Sequence, residues 1–485
     1  MKCISKSVII IVCVFSLLAL IVFSSSEVMA FKPLKGDLSQ YDPNNQTFPT
    51  SGDTIKFAIF DSCTGANAYL CQAYYALLGF VVQDINSQGG IKVDGKMKKI
   101  QIFKVDTQSA PDPAKRALEK AILQDKIIGF SGVGGTHLAK IGQNMAKEYK
   151  VIFVNLAAYS DELTELPGFN EYFFRTCGTS STTAKSLAVF YKDRPETKFY
   201  ILAQDYVWGH ESTAVFKKTI KEVKPNAQIV GEEFFPLFTK DFAPYLEKVR
   251  ASGAEVIVQM AWGADNENLI KQSRQMGMKS PLKPDLFIPM ASPFLDDTRP
   301  LEVIGGPAGR GLVLCTDFQL NRNLPNTKKM IDLWNKLSKT WKAPYDTPLY
   351  QWPNGGWYRN LTGYYWFFQV VQKAGSTDPQ KIIAAWEGDT FNAFGWKHYM
   401  RPDDHQVVAD RPIAELEFPN TWEMPKNAAP GNPTWIPAKD CLPNIDVRLV
   451  GRVTKIEKPA ALAKKVKKPA APAKKVEKPA VPAQK

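Results

Sequence analysis

The turn after the first apolar run of the chain carries residues that could do chemistry. Cys63 lies in the small-residue turn 62–66, directly before a segment with helical apolar spacing. A thiol at a helix start has a lowered pKa, so Cys63 could act as a nucleophile. No histidine has a visible reason to be its partner, and the four histidines are scattered: His137, His210, His398 and His405. Cys63 could instead pair with Cys71, and the sequence leaves both alternatives open.

A glycine-containing loop is the second candidate. Gly134, Gly135 and Thr136 place backbone N–H groups at the start of a predicted helix, where an anionic or carbonyl oxygen is stabilised. A tight turn that needs glycine would explain the same residues. A dinucleotide site is not predicted, because His137 stands where the third glycine belongs and the loop follows a third strand.

Signatures of common enzyme classes do not occur in the sequence. There is no Walker loop, no Gly-x-Ser-x-Gly and no His-Glu-x-x-His. No two cysteines share a Cys-x-x-Cys spacing, which argues against a zinc site. We therefore predict no catalytic residue, no metal site and no cofactor.

The elements that must position these loops alternate between strand and helix. Apolar runs of strand length occupy residues 55–60, 100–105, 127–130 and 151–154, then 199–203, 228–231, 256–260 and 286–289, with helical patterns between them. This alternation predicts an α/β fold of two doubly wound parallel-sheet lobes. Ligands of such sheets bind at the loops after the strands, so residues 62–69 form the first predicted wall of a site.

The first 30 residues have the pattern of a cleavable signal peptide. Lys2 and Lys6 precede the apolar stretch 8–23, and Val28-Met29-Ala30 forms a small-x-small cleavage site. The stretch has 16 residues, fewer than the ~20 that cross a bilayer as a helix. An uncleaved anchor is the alternative. We predict an exported, periplasmic protein whose residues 31–52 form a polar leader.

The positive charge is concentrated in a repetitive tail. Of the net charge of +13, ten lysines and two glutamates in residues 454–485 supply +8. The predicted signal supplies +1, and the remaining +4 gives no basis for nucleic-acid binding. The tail has three ten-residue repeats, each with Lys-Pro-Ala, which predicts a disordered, extended chain. It is either a spacer or a contact for an anionic membrane or cell-wall surface.

An ordered set of short motifs carries a resemblance to a known family. The motifs are the Thr64-Gly65 turn, Asp84-Ile85-Asn86 with Gly89-Gly90, Asp106, Glu162-Leu163-Thr164, Phe174-Arg175-Thr176, Asp205 with Trp208-Gly209, and Gly363-Tyr364. Together they resemble type I periplasmic solute-binding proteins, in particular the leucine/isoleucine/valine-binding group of ABC importers. The likeness covers about residues 54–408.

The resemblance implies two lobes joined by three crossover strands, which close on a ligand by a hinge motion. By position, one lobe would be residues 53–175 plus 292–394. The other would be residues 176–291 plus 395–441. The closed form would then dock on an inner-membrane ABC permease.

The resemblance also implies a set of ligand-binding residues in the cleft. Asp265 falls where relatives pair an acid with the ligand ammonium, although a helix cap is an alternative for it. The positions that carry a serine and a threonine in relatives hold Val133 and Tyr159, which counts against strict α-amino-acid specificity. The full predicted set is Cys63, Tyr69, Val133, Gly134, Gly135, Thr136, Ala157, Ala158, Tyr159, Trp208, Trp262, Asp265 and Tyr364.

The sequence thus predicts a solute-binding protein for a small organic molecule. Tyr69, Tyr159, Trp208 and Trp262 as a group suit a flat or bulky ligand, such as an amino acid derivative, an amide or an aromatic acid. The same lobes could instead serve a signalling partner as a ligand receptor. A surface protein attached through the tail is the third alternative.

Overall fold

The computed structural model of the chain describes residues 31–65, 68–294, 304–315, 317, 327–347, 350, 355–392, 394–419 and 429–452. The predicted signal peptide and the predicted tail lie outside these residues. Within them, no helix is long and apolar enough to span a membrane.

The first sheet is parallel and follows the predicted alternation. Its strands and the adjacent hairpin are β1 (Ile55–Asp61), β2 (Ile91–Val93), β3 (Lys96–Lys98), β4 (Ile100–Asp106), β5 (Gly129–Gly132), β6 (Ile152–Asn155) and β7 (Phe173–Arg175). The helices between them are α1 (Ala68–Ser87), α2 (Pro111–Lys120), which a π-helical turn Ala121–Asp125 extends, and α3 (Thr136–Tyr149). The spatial order is β4-β1-β5-β6-β7. Every residue of β1 except Lys56 is buried, as expected for a parallel strand covered on both faces.

The second sheet is mixed. It is built from α4 (Ser180–Phe190), β8 (Lys198–Gln204), α5 (Val207–Val223), β9 (Gln228–Phe235), α6 (Ala243–Ser252), β10 (Val256–Met260), α7 (Gly263–Gln275), β11 (Met290–Ser292), α8 (Gly306–Gly309) and β12 (Leu312–Cys315). Strands β8 to β12 are mutually parallel. The strand predicted at residues 286–289 begins instead at Met290, and within the predicted range Phe287 forms an isolated antiparallel bridge with Lys279.

The chain then returns to the first lobe before it ends in the second sheet. The returning elements are α9 (Thr327–Ser338), α10 (Gly355–Ala374), α11 (Pro379–Trp386), β13 (Thr390–Phe391), β14 (His398–Met400) and β15 (Val407–Val408). The last elements are β16 (Arg411–Glu417), β17 (Ala429–Pro430), β18 (Thr434–Ile436) and α12 (Ala438–Cys441). The second sheet has the order β17-β16-β12-β11-β10-β8-β9, with β18 on β16, and β16 is antiparallel to β12.

The predicted residue bounds of the two lobes stay a prediction. Two parts of the chain pair or pack with the lobe opposite to the one predicted for them. Strand β12, assigned to the first lobe, pairs with β11 and β16 in the second sheet. Strands β14 and β15, assigned to the second lobe, contribute Met400 and Val407 to the apolar core of the first. The strands and side chains that each of these strands contacts decide which lobe it belongs to. No local sequence pattern identifies those partners.

The predicted leader packs into the core of the first lobe. Its apolar side chains at Phe31, Leu34 and Tyr41 are buried there. The fully buried Asp84 of α1 fixes its path, because it accepts hydrogen bonds from the backbone N–H of Leu34 at 2.7 Å and of Gly36 at 2.5 Å. The leader is therefore an integral layer over α1.

The chain passes between the two sheets three times, and two of these passages are hydrogen-bonded to each other. Arg175, fully buried at the end of β7, donates from Nε to Gln406 Oε1 at 2.5 Å and from its backbone N–H to His405 O at 2.9 Å. Gln406 donates in turn to the Cys177 carbonyl at 2.9 Å. These contacts join the connections on which the two lobes would pivot.

Candidate functional site

A disulfide bond fixes the turn between β1 and α1. Cys63 and Cys71 are bonded, with their Cα atoms 4.9 Å apart. The turn is also held to β4, because the Cys63 N–H and the Thr64 hydroxyl each donate to the Asp106 carboxylate at 2.8 Å. The alternative of a catalytic Cys63 is therefore wrong, since no free thiolate is left. The disulfide instead fixes the first turn of α1, which carries Tyr69.

Tyr69 of the first lobe lies close to the start of α7 in the second. Its hydroxyl oxygen is 3.6 Å from the point that a Cβ atom would occupy if Gly263 had one. Gly263 opens α7 with a φ of 63°, a left-handed conformation that glycine adopts without steric cost. The start of α1 and the start of α7 are therefore near one another.

A wall of aromatic side chains continues from this contact through the second lobe. Trp262, next to Gly263, donates from Nε1 to the Tyr206 hydroxyl at 2.8 Å. The ring centroids of Tyr206 and Trp208 are 6.0 Å apart, and those of Trp208 and Phe294 are 5.3 Å apart. Phe294 meets the Tyr159 ring edge-on at 5.0 Å. Tyr159 lies in the loop after β6 of the first lobe, but its ring packs in the apolar core of the second.

Arg359 of α10 closes this chain of contacts. Its Nη1 donates to the Tyr159 hydroxyl at 3.1 Å, and its Nη2 donates to the Tyr74 hydroxyl at 3.4 Å. Tyr74 lies on α1, five positions after Tyr69, so this series of residues begins and ends on the same helix. We name the series the cleft ring; its members are Tyr69, Tyr74, Tyr159, Tyr206, Trp208, Trp262, Phe294 and Arg359.

A buried ion cluster lies at the Tyr159 side of the cleft ring. Asp317 accepts hydrogen bonds from the Tyr159 hydroxyl and from Arg411, and its Oδ2 is 3.7 Å from Arg359 Nη1. Burial disfavours the Asp317 carboxylate, but Arg411 and Arg359 outweigh it and hold its pKa below the usual range. Because Arg359 belongs to the first lobe and Arg411 to the second, the cluster joins both lobes.

Asp61, the last residue of β1, is a second buried acid beside the cleft ring. Burial raises its pKa to about 7, against the opposing effect of the backbone N–H groups of Ser62 and Gly134. Its Oδ1 accepts from the Ser62 N–H at 2.7 Å. The Gly134 N–H, predicted to be available to a ligand anion, is thus directed at Asp61.

The other predicted loop residues lie on the first-lobe side. Gly135 caps α3 with a φ of 96°, and Thr136 begins that helix with its side chain buried. In the loop after β6, the N–H groups of Ala157 and Ala158 donate to Asn155 Oδ1, at 3.3 and 2.9 Å. These two amides therefore shape the loop that presents Tyr159.

Two predicted residues pack in the apolar core of the first lobe. Val133 and Tyr364 are both fully buried there. The Tyr364 ring meets Phe57 edge-on at 6.4 Å, and its hydroxyl donates to the Tyr74 carbonyl at 3.4 Å. The structure thus places Tyr364 behind α1 and outside the cleft ring.

Asp265 is bonded within the second lobe. Its Oδ2 accepts from Gln204 Nε2 at 2.6 Å and from the Phe238 N–H at 3.0 Å. The helix cap is wrong as an alternative, because the N-cap residue of α7 is Trp262. Asp265 holds the loop after β9, and its pairing with a ligand ammonium stays a prediction.

The three remaining described cysteines are buried. Cys177, Cys315 and Cys441 are free and buried, and burial raises the pKa of the Cys177 and Cys315 thiols to about 12. A buried thiol of this kind is unreactive. Among the residues described, no three His, Cys, Asp or Glu side chains are grouped to hold a metal ion.

The structure brings together four of the predicted residues, Tyr69, Tyr159, Trp208 and Trp262. Sequence reasoning missed Asp61, Tyr74, Tyr206, Phe294 and Arg359. Asp61 stands directly before the loop that was predicted as a wall, and Tyr206 stands two positions before Trp208, so both had a positional signal. The signal for Arg359 is weaker: it is a charged residue in a predicted helix that is rich in aromatic residues.

Comparisons with known proteins agree on one family. The family described as periplasmic binding protein matches residues 54–421. Leu/Ile/Val-binding protein homolog 4 of Brucella melitensis is 24% identical over 375 residues, which cover 76% of this chain and 85% of the relative.

Solved structures are similar over most of the chain. The closed leucine-, isoleucine-, valine-, threonine- and alanine-binding protein of Brucella ovis has a TM-score of 0.69 at 20% identity, and the match covers 82% of this chain and 98% of that one. A solute-binding protein of an ABC transporter from Rhodopseudomonas palustris BisB5, in complex with 3,4-dihydroxybenzoic acid, has a TM-score of 0.66 at 21% identity over 79% and 98%. With its two sheets, its three passages and the family match, this chain belongs to the periplasmic binding proteins and has their type I fold.

Proposed function

We propose that this chain is the extracytoplasmic solute-binding component of an ABC importer. Its ligand would be a small organic molecule with a flat or bulky group: an amino acid or derivative, an amide or an aromatic acid. The observation that carries the proposal is the cleft ring, a series of eight side chains from both lobes, seven of them aromatic.

The aromatic members of the cleft ring favour a ligand with a flat apolar part. Aromatic walls bind rings through offset-stacked and edge-to-face contacts. Trp208 adds a polar feature, because its Nε1 is buried and donates to no acceptor among the described residues. A ligand oxygen in front of this wall would satisfy the indole N–H.

Arg359 favours a carboxylate on the same ligand. A guanidinium binds a carboxylate in a bidentate manner, and this interaction is stronger where water is excluded. Arg359 is 7% exposed and is oriented by the hydroxyls of Tyr74 and Tyr159. The names of the relatives agree with an acidic ligand, since one is a Leu/Ile/Val-binding homolog and one neighbour holds an aromatic acid.

Capture would occur by hinge closure. Tyr69 of the first lobe lies near Gly263 of the second. Asp317 accepts a hydrogen bond from Arg411 of the second lobe and lies 3.7 Å from Arg359 of the first. A ligand that contacts both lobes binds the closed state more tightly and shifts the population towards it. The closed form would then deliver the ligand to an inner-membrane permease.

The sequence features outside the two lobes fit the same role. Residues 1–30 would be removed as a signal peptide on export to the periplasm. The Lys-Pro-Ala tail would hold the protein near an anionic membrane or cell-wall surface, through contacts that salt weakens. Retention that persists after truncation at Gly451 would remove this role from the tail and leave ligand capture unaffected.

A thermal-shift screen of residues 31–485 tests the proposed function. The panel is benzoate, the hydroxybenzoates, leucine, phenylalanine and the corresponding amides. A ligand at one hundred times its Kd stabilises the folded state by about 2.7 kcal/mol, which raises the Tm measurably. We expect selective stabilisation by carboxylic acids. A folded protein whose Tm no member of the panel changes would contradict the proposal.

A further inference from the structure

Asp61 is a buried carboxylate that the chain leaves incompletely bonded. Its side chain is 1% exposed. Oδ1 accepts a hydrogen bond from the Ser62 N–H at 2.7 Å, and the Gly134 N–H is also directed at the carboxylate. Oδ2 has no hydrogen-bond partner among the described residues. A buried carboxylate oxygen without a partner is costly, so a donor brought by a ligand would be stabilised there.

The position of Asp61 connects it to the cleft ring. It ends β1 at the edge of the sheet where ligands of this architecture bind. Burial raises the pKa of the Tyr74 and Tyr364 hydroxyls, and the charge of Asp61 adds a smaller effect at both, which Arg359 opposes at Tyr74. Tyr74 also accepts from Arg359 at 3.4 Å. An acceptor, Asp61, and a cation, Arg359, therefore flank one tyrosine.

Resting on the proposed function, we propose that Asp61 is a specificity-determining residue of the cleft. Its Oδ2 accepts a hydrogen bond from an amine or hydroxyl group of the ligand, while Arg359 binds the ligand carboxylate. The ligand is then an acid that also carries a hydrogen-bond donor. An acid without a donor leaves Oδ2 unpaired in the closed cleft, and sites built to bond a polar group reject such analogues strongly.

The pH dependence of binding follows from the surroundings of Asp61. Burial raises its pKa to about 7, the nearby Asp106 carboxylate adds to this, and the N–H groups of Ser62 and Gly134 oppose it. The other groups that face it are the tyrosine hydroxyls, which stay neutral at these pH values. From pH 6 to pH 8 the ionised fraction rises from roughly one tenth to nine tenths, so affinity for a donor-bearing acid rises up to about tenfold.

Calorimetric titration with matched pairs of acids tests this inference. The probes are the three hydroxybenzoates with their methoxybenzoate counterparts, phenylalanine with 3-phenylpropanoate, and benzoate. Each is titrated into the wild-type protein, into Asp61→Asn, and into a control, Asp112→Asn, whose side chain is exposed on α2. The phenol and amine pairs distinguish a hydroxyl from an ammonium as the donor.

We expect the wild-type protein and Asp112→Asn to bind one donor-bearing acid at least tenfold more tightly than its matched partner. Asp61→Asn should lose this preference and its rise between pH 6 and pH 8, yet bind the donor-free acid as before. Equal binding of both members of every pair by the wild-type protein would overturn the inference and leave the proposed function intact. Absence of binding by all the acids would overturn both.

Discussion

At the scale of the residue, two buried carboxylates near the cleft ring have opposite pKa shifts. Asp317 is 5% exposed, but two guanidiniums lie beside it and lower its pKa. No cation is among the groups that shift the pKa of Asp61, so burial dominates and raises this pKa to about 7. Asp317 is therefore a structural anion, whereas Asp61 is poised to change charge near neutral pH.

The raised pKa of Asp61 predicts a pH-dependent stability. Between the unfolded value of 3.8 and the folded value of about 7, the native state binds a proton that the unfolded state releases. The contribution of Asp61 to stability therefore falls as pH rises, by on the order of 2 kcal/mol between pH 5 and pH 8. Asp61→Asn should remove this slope, which urea unfolding at the two pH values measures. Parallel slopes for wild type and variant would contradict the assignment.

At the scale of the element, the sequence could predict loops but not tertiary partners. Tyr69, Tyr159, Trp208 and Trp262 can be predicted as candidates because each lies in a loop or first helical turn after a strand, where ligands of parallel sheets bind. Arg359 lies inside α10, and only the packing of that helix brings it to the loops. Asp265 was placed correctly after β10, but its bonds to Gln204 and Phe238 depend on neighbouring strands.

The disulfide between the first strand and the first helix should stabilise the protein and preorganise Tyr69. It closes a loop of eight residues, which corresponds to about 2 kcal/mol of unfolded-state entropy. The double variant Cys63→Ser/Cys71→Ser should lose about that much free energy of unfolding in urea. A reductant should destabilise the wild-type protein and leave the variant unchanged. If the reductant destabilises the wild-type protein and the variant equally, its effect does not come from the Cys63–Cys71 bond.

The leader should depend on Asp84 for its attachment to α1. Asp84 Oδ2 accepts from the Leu34 N–H and the Tyr365 hydroxyl, both within 2.7 Å. Asn at this position keeps the shape of the side chain, but its amide N–H group would face these donors and could not accept from them. We expect Asp84→Asn to lower the free energy of unfolding by roughly 2–3 kcal/mol.

A double-mutant cycle separates the leader from the rest of this effect. In a chain that begins at residue 42, the Leu34 and Gly36 donors are absent, so the Asp84→Asn penalty should be clearly smaller. Additive losses in the cycle would show that Asp84 does not act through the leader.

At the scale of the whole molecule, the two-sheet architecture explains why both lobes contribute residues to the cleft ring. The first sheet supplies α1 and the loop of Tyr159, the second supplies Tyr206, Trp208 and Trp262, and the passages between them hold Arg175 and the Asp317 cluster. The alternation of strands and helices was enough to predict both sheets. It could not assign β12, β14 and β15 to their sheets, because those short strands gain their partners only when distant parts of the chain pack.

The central claim is that an acid binds in the cleft through Arg359. Arg359→Met keeps the length and the apolar part of the side chain but removes the guanidinium, and Arg116→Met on the exposed face of α2 is its control. Removal of a buried charge-assisted pair costs about 2–5 kcal/mol, so affinity should fall at least thirtyfold.

The most direct measurement is calorimetric titration of residues 31–485 with the acid that gives the largest thermal shift. We predict one ligand per chain for the wild-type protein and for Arg116→Met, and at least thirtyfold weaker binding by a folded Arg359→Met. Wild-type affinity in Arg359→Met would contradict this prediction, because the ligand carboxylate would then be bound somewhere other than the cleft ring.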